Sequence, residues 1–152
     1  MKALDVGAAP TYSLVGDVYA ILLGGSDTGG AFCLVHAIVP PGGGPPFHTH
    51  SREDETFYIL EGEITVFRDG REIVGGPGTA VHLERGVEHR FENCSDRPAR
   101  MLIHTAPSGF ERMVSEAGVS VAPGSTTPAP VGEDDVPRLL AACERAGITI
   151  RM

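Results

Sequence analysis

Between residues 17 and 105 the chain alternates short apolar stretches with turn residues, and no sustained helical stripe interrupts them. Residues 17–23, 31–39, 56–60, 63–68, 71–74, 79–83, 89–94 and 99–105 each read as a short β-strand. The punctuation between them is specific. Residues 24–30 read GGSDTGG, a flexible hairpin loop, and Pro40-Pro41 stops the second run. Glu61-Gly62 separates two strands, and Asp69-Gly70 is a tight-hairpin signal. Strands at this regular spacing predict an antiparallel all-β domain, a sandwich or a barrel. Past Pro107 the pattern changes. Residues 108–117 predict a short helix with Ser108 as N-cap and Glu111 at the capping-box position. Residues 121–134 are rich in Pro, Ser and Thr without periodicity and read as a surface linker. Residues 135–146 predict a second helix, with Val136, Leu139, Leu140 and Cys143 on one stripe and Gly147 closing it. That stripe must bury against the β-domain or a second subunit. The chain therefore divides into a β-domain, residues 1–107, and a helical C-terminal appendage, residues 108–152, that is not an independent domain.

Composition narrows the picture. At 152 residues the chain suits one domain, and Gly 20 with Pro 12 fits many turns between short elements. A net charge of −8 repels phosphate backbones and anionic lipid surfaces, which argues against nucleic acid and membrane as partners. The first residues lack the apolar core of a secretory signal, and the apolar run at 18–23 is too short to cross a bilayer. Cys33, Cys94 and Cys143 are odd in number and widely spaced, so neither a disulfide framework nor a CxxC metal knuckle is available. Reduced thiols in the cytoplasm are the expectation.

Candidate chemistry concentrates in residues 42–93. On a strand, positions i and i+2 share a face, so His48 and His50 project two imidazoles to one side. Paired histidines on a strand also occur as surface polar residues. Glu55 can add an oxygen ligand if the chain turns through 52–54, and His89 opens a later strand beside a turn. Three imidazoles and a carboxylate form a borderline donor set for Fe, Mn, Ni, Cu, Co or Zn, too rich in nitrogen for Mg or Ca. By alternation Phe57 and Ile59 share the face of Glu55, while Phe91 and Asn93 share that of His89. These side chains predict an apolar pocket over the metal, or plain core. His82 is a further pocket candidate, whereas His36 and His104 read as structural strand histidines. Arg52, Glu53 and Asp54 read as a solvated charged turn.

These residues also resemble the cupin superfamily. Its first motif, GxxxxxHxHxxxxExxxxxxG, is matched by Gly42, His48, His50, Glu55 and Gly62. Its second, GxxxxxPxGxxHxxxN, is matched by Gly78, Gly86, His89 and Asn93, with Glu84 at the Pro position. The residues between the motifs, 63–77, make the short spacing of single-barrel cupins of the quercetin-dioxygenase-like type. The resemblance implies a small antiparallel jelly-roll barrel that holds one divalent transition metal per chain on His48, His50, Glu55 and His89. It implies a metal-dependent dioxygenase acting on a small aromatic or enol/diketone-type substrate, with Glu55 as catalytic base and the chain a homodimer. The same scaffold also carries non-redox cyclases and isomerases and non-catalytic binding modules.

Overall fold

The computed structural model of the protein describes residues 1–152. After a 3-10 turn at Val6–Ala8 come β1 (Thr11–Leu14), β2 (Asp17–Leu23), the one-turn helix α1 (Gly25–Thr28) and β3 (Cys33–Val39). β4 (His48–His50), β5 (Asp54–Glu61), β6 (Ile64–Arg68) and β7 (Arg71–Gly75) follow. β8 (Ala80–Leu83), β9 (His89–Glu92) and β10 (Ala99–Ala106) precede α2 (Phe110–Ala117), β11 (Val119–Val121), α3 (Asp135–Ala146) and β12 (Ile148–Ile150). All strand pairs are antiparallel. A 7-stranded sheet runs β11-β1-β2-β3-β10-β5-β8, and a 5-stranded sheet runs β12-β4-β9-β6-β7.

The alternation seen in the sequence generates the core. Along β10, Ala99, Met101, Ile103 and Thr105 are fully buried while the residues between them are half-buried. Phe57 and Ile59 on the neighbouring β5 have no exposed surface either. Side chains of period two thus fill the space between the sheets in a jelly-roll arrangement. The expected closure into a barrel is not seen. The ladders stop at β8 and β11 on one sheet and at β7 and β12 on the other, so no strand ladder joins the two layers; packed side chains and a few side-chain hydrogen bonds do.

Three local expectations are revised. The GGSDTGG segment is not a loose hairpin, because Gly25–Thr28 form a helical turn and the Asp27 carboxylate accepts the Gly24 N–H at 2.9 Å. Gly109, not Ser108, is the N-cap of α2. Glu111 does reach back to the Gly109 N–H at 2.7 Å, but it also accepts the Gly25 N–H at 2.8 Å, and this tie between α2 and α1 fixes where the helix begins. Residues 119–121 and 148–150, too short to show periodicity, are strands: β11 pairs with β1 and β12 with β4. On α3 the apolar stripe is buried at Cys143 and half-buried at Leu139 and Leu140, while Val136 stays exposed. No helix is long and apolar enough to cross a membrane.

Candidate metal centre

The site is assembled from both sheets. His48 and His50 stand on β4 and His89 on β9, with His48 in register with His89. Glu55 comes from β5 in the opposite sheet. The backbone brings the two sequence motifs together: the Gly42 N–H donates to the Asn93 carbonyl at 2.8 Å, and the Asn93 N–H returns a bond to Gly43 at 3.0 Å. Gly44 has φ 126°, and a Cβ there would collide with the Phe91 carbonyl, so this approach to β9 requires glycine. Across the site the Gly86 N–H donates to the His50 carbonyl at 2.7 Å. Glu84, standing where the resembled motif has Pro, is exposed and meets Arg68 at 2.6 Å, so a surface ion pair replaces ring rigidity in that turn.

One ligand atom from each of His48, His50, Glu55 and His89 lies within 4.8 Å of the other three, and all four residues are buried. Every Nδ1 is engaged elsewhere. That of His48 donates to the Pro46 carbonyl at 2.9 Å, that of His89 to the Val87 carbonyl at 3.0 Å, and that of His50 to the Glu53 carboxylate at 2.7 Å. Carbonyl and carboxylate oxygens only accept, so each Nδ1 carries a proton and each Nε2 turns inward with a free lone pair or a second proton. The Nε2 of His50 is buried without a hydrogen-bond partner, and that of His89 stands 2.8 Å from Glu55 Oε2. Without a second proton on His89 these are two acceptors that repel, and a cation between them relieves both. The donor set, its tautomers and this orphaned nitrogen fit a divalent transition metal.

Burial is the largest influence on His48, His50 and Glu55. It pushes His48 down to about 4, the neighbouring imidazoles adding to it and Glu55 opposing. It works against the charged form of His50 too, but Glu55 and Glu53 outweigh it and raise that imidazole. For Glu55, burial is overcome by the surrounding imidazoles, which hold the carboxyl down at about 2. The carboxylate is thus ionised at neutral pH.

A cavity of about 90 Å3 opens beside the cluster, with His48, His50 and Glu55 on its wall. Phe91, which also belongs to the core, lines it. Phe57 and Ile59 do not; they are fully buried core, Phe57 packing edge-on against Phe91 at 5.3 Å. The expectation for His82 gives way as well. Strand alternation turns it outward, where it is exposed and meets the Thr56 hydroxyl at 2.9 Å. Asn93 is buried as a backbone tie, its amide donating to the Val39 and Arg97 carbonyls at 2.8 and 2.7 Å. His36 and His104 lie apart from the cluster. Part of the wall was not foreseen: Phe110 and Met113 of α2, Leu139 and Cys143 of α3 and Ile148 of β12 all line the cavity. Glu53, expected in a solvated turn, is only 3% exposed because its carboxylate is drawn in by His50.

Residues 35–105 match the family model for the cupin domain. A beta-D-galactosidase of Mycobacterium tuberculosis is 32% identical over 111 residues, spanning 70% of this chain and 94% of its own length. The chain is a cupin. The quercetin 2,3-dioxygenase of Bacillus subtilis is 35% identical over 79 residues, 51% of this cupin and 23% of that enzyme. The tetracenomycin polyketide synthase protein TcmJ of Streptomyces glaucescens is 30% identical over 99 residues, 65% of this cupin and 66% of its own length. This cupin thus spans less than two thirds of either of those two relatives. Among solved structures, the polyketide cyclase RemF of Streptomyces resistomycificus superposes with a TM-score of 0.62 at 21% identity, covering 89% of both chains. That likeness concerns the fold, and it extends into the C-terminal third.

Proposed function

We propose that this cupin is a metal-dependent dioxygenase that acts on a small aromatic or enol/diketone-type compound, holding one divalent transition ion on His48, His50, Glu55 and His89. The observation that carries the reading is the set of three inward Nε2 atoms, each fixed by a bonded Nδ1, gathered with a buried carboxylate beside an apolar cavity that His48, His50 and Glu55 line. The relatives include a dioxygenase, a polyketide synthase component and a galactosidase, so the family alone does not choose the reaction. When bound, the ion supplies Lewis acidity and, where it is Fe, Mn, Ni, Cu or Co, redox capacity. The protein supplies the rest. The imidazoles hold the ion, Glu55 accepts the substrate's hydroxyl proton on a carboxylate oxygen, and the apolar wall excludes water while favouring a flat, uncharged ring. The net charge of −8 disfavours polyanionic substrates. The functional unit in this reading is a cytoplasmic homodimer.

The second reading, a non-redox cyclisation or isomerisation at the same ion, is favoured by the similarity to TcmJ, a polyketide synthase protein. Oxygen consumption by the metal-loaded protein with a panel of flavonols and β-diketones separates them. Substrate-dependent uptake supports the dioxygenase, product without uptake supports the second reading, and binding without turnover leaves a binding module. H50A together with H89A is expected to abolish stoichiometric metal by elemental analysis; full retention overturns the ligand assignment.

A further inference from the structure

Apart from the proposed metal ligands, the cavity wall contains three polar side chains: Asp17, Tyr19 and Cys143. Asp17 and Tyr19 stand at i and i+2 on β2 and are 3% and 4% exposed. Their mutual contact is poor. The Tyr19 hydroxyl donates to Asp17 Oδ2 at 3.3 Å, beyond the 2.5–3.0 Å usual for O–H···O bonds. Asp17 Oδ1 is buried without a well-formed hydrogen bond, the Gly44 amide being the backbone donor near the carboxyl, and it packs where a Cβ on residue 43 would stand were it not glycine. Buried polar groups are rarely left this way unless something else completes them. Phe110 links this dyad to the metal wall, its ring centroid 6.5 Å from Tyr19 and 6.0 Å from His50. An aromatic face therefore runs beside both polar poles.

We infer that Asp17 and Tyr19 form a second recognition pole, which takes a hydroxyl group carried by the ring of a substrate whose chelating oxygens face the metal ligands. The inference rests on the reading of a metal-held small organic substrate and narrows it to hydroxylated aromatic compounds. A ligand hydroxyl can donate to the carboxylate and accept from Tyr19, completing both groups at once. A site built this way rejects the analogue that lacks the hydroxyl, because its own buried groups are then left unpaired. Asp17 and Tyr19 are specificity-determining residues in this scheme and take no part in bond breaking.

The test compares benzoylacetone with its meta- and para-hydroxyphenyl analogues by calorimetry on the metal-loaded protein. At least one hydroxylated probe is expected to bind roughly tenfold more tightly than the parent. In D17L the affinities converge, and Y19F, which removes one hydroxyl from the wall, narrows the gap should D17L fail to fold. Equal affinities in the wild-type protein, or a preference that survives both substitutions, overturn the inference, as does failure of all three probes to bind. The metal reading is scored separately. H50A together with H89A should lose the ion and weaken all three probes while keeping the preference for the hydroxylated one, so failure of metal loading and failure of the Asp17–Tyr19 pole give different results.

Discussion

Glu53 shows what holds an imidazole in a ligating posture. Its carboxylate accepts the His50 Nδ1 proton at 2.7 Å, which fixes the tautomer and leaves Nε2 inward. Removing such a partner leaves every ligand in place yet frees the ring to rotate. Glu53→Ala is therefore expected to weaken metal affinity roughly 10–100-fold with stoichiometry unchanged at saturation, measured by competition with a chelator. Glu53→Gln, which keeps an acceptor oxygen, should recover part of the loss. Asp17 yields a prediction of another kind. Burial pushes its carboxyl up to about 7, against the Tyr19 hydroxyl and the Gly44 amide. A carboxyl whose pKa rises on folding stabilises most when protonated, below the unfolded value of about 4, and that contribution is lost as pH climbs toward 7. Asn cannot ionise. Urea unfolding at pH 5 and pH 8 should therefore show D17N gaining about 1–4 kcal/mol on the wild type at the higher pH, and parallel stabilities would refute it. At this scale the four clustered residues were legible, because the i, i+2 rule and the motif spacing both mark them. Glu53 was not, since a charged tripeptide in a turn looks solvated until its partner's position is known. His82 was offered as a pocket candidate, but the alternation along β8 turns it outward.

Among the elements, β12 braces the strand that carries two of the clustered histidines. It pairs with β4 over Ile148–Ile150, placing Ile148 opposite His50 and Ile150 opposite His48. The ladder continues at both ends, where the Ser51 N–H donates to the Gly147 carbonyl at 3.0 Å and the Arg151 N–H to Phe47 at 2.8 Å. A three-residue strand between β9 and solvent would otherwise have one unpaired edge. Deleting residues 147–152 is expected to lower metal affinity at least tenfold and to cost about 2–5 kcal/mol, the loss of buried Ile148 alone being of that order. Unchanged affinity in calorimetric titration would show that β4 keeps its geometry unaided. The longer strands were readable from alternation and turn residues, to within one or two positions at their ends. β1, β11 and β12 were not, because three or four residues carry no clear period and only their partners define them. The same holds for α2 and α3: both helices were visible, and the stripe of α3 with them, but nothing said that their apolar faces would wall the cavity.

For the molecule as a whole, the two open sheets leave edges at β7 and β8. Ile73 and Val74 on β7 are 53% and 55% exposed, and Tyr58 and Leu60 on β5 are exposed beside β8. Exposed apolar strand residues near unpaired edges need cover, and a second copy related by a two-fold axis is the commonest way to supply it. Sedimentation at micromolar concentration is expected to show a dimer; a stable 16.0 kDa species would exclude it. The β4–β12 pairing also sets an order of events. Residues 48, 50, 55 and 89 leave the ribosome well before residues 148–150, so for a time the ligands exist without the strand that braces them or the helices that roof them. Pairings of such long sequence separation form late. A growing chain thus offers loosely held imidazoles to any ion nearby, and discrimination among metals, which depends on a rigid ligand geometry, can begin only once β12 has docked.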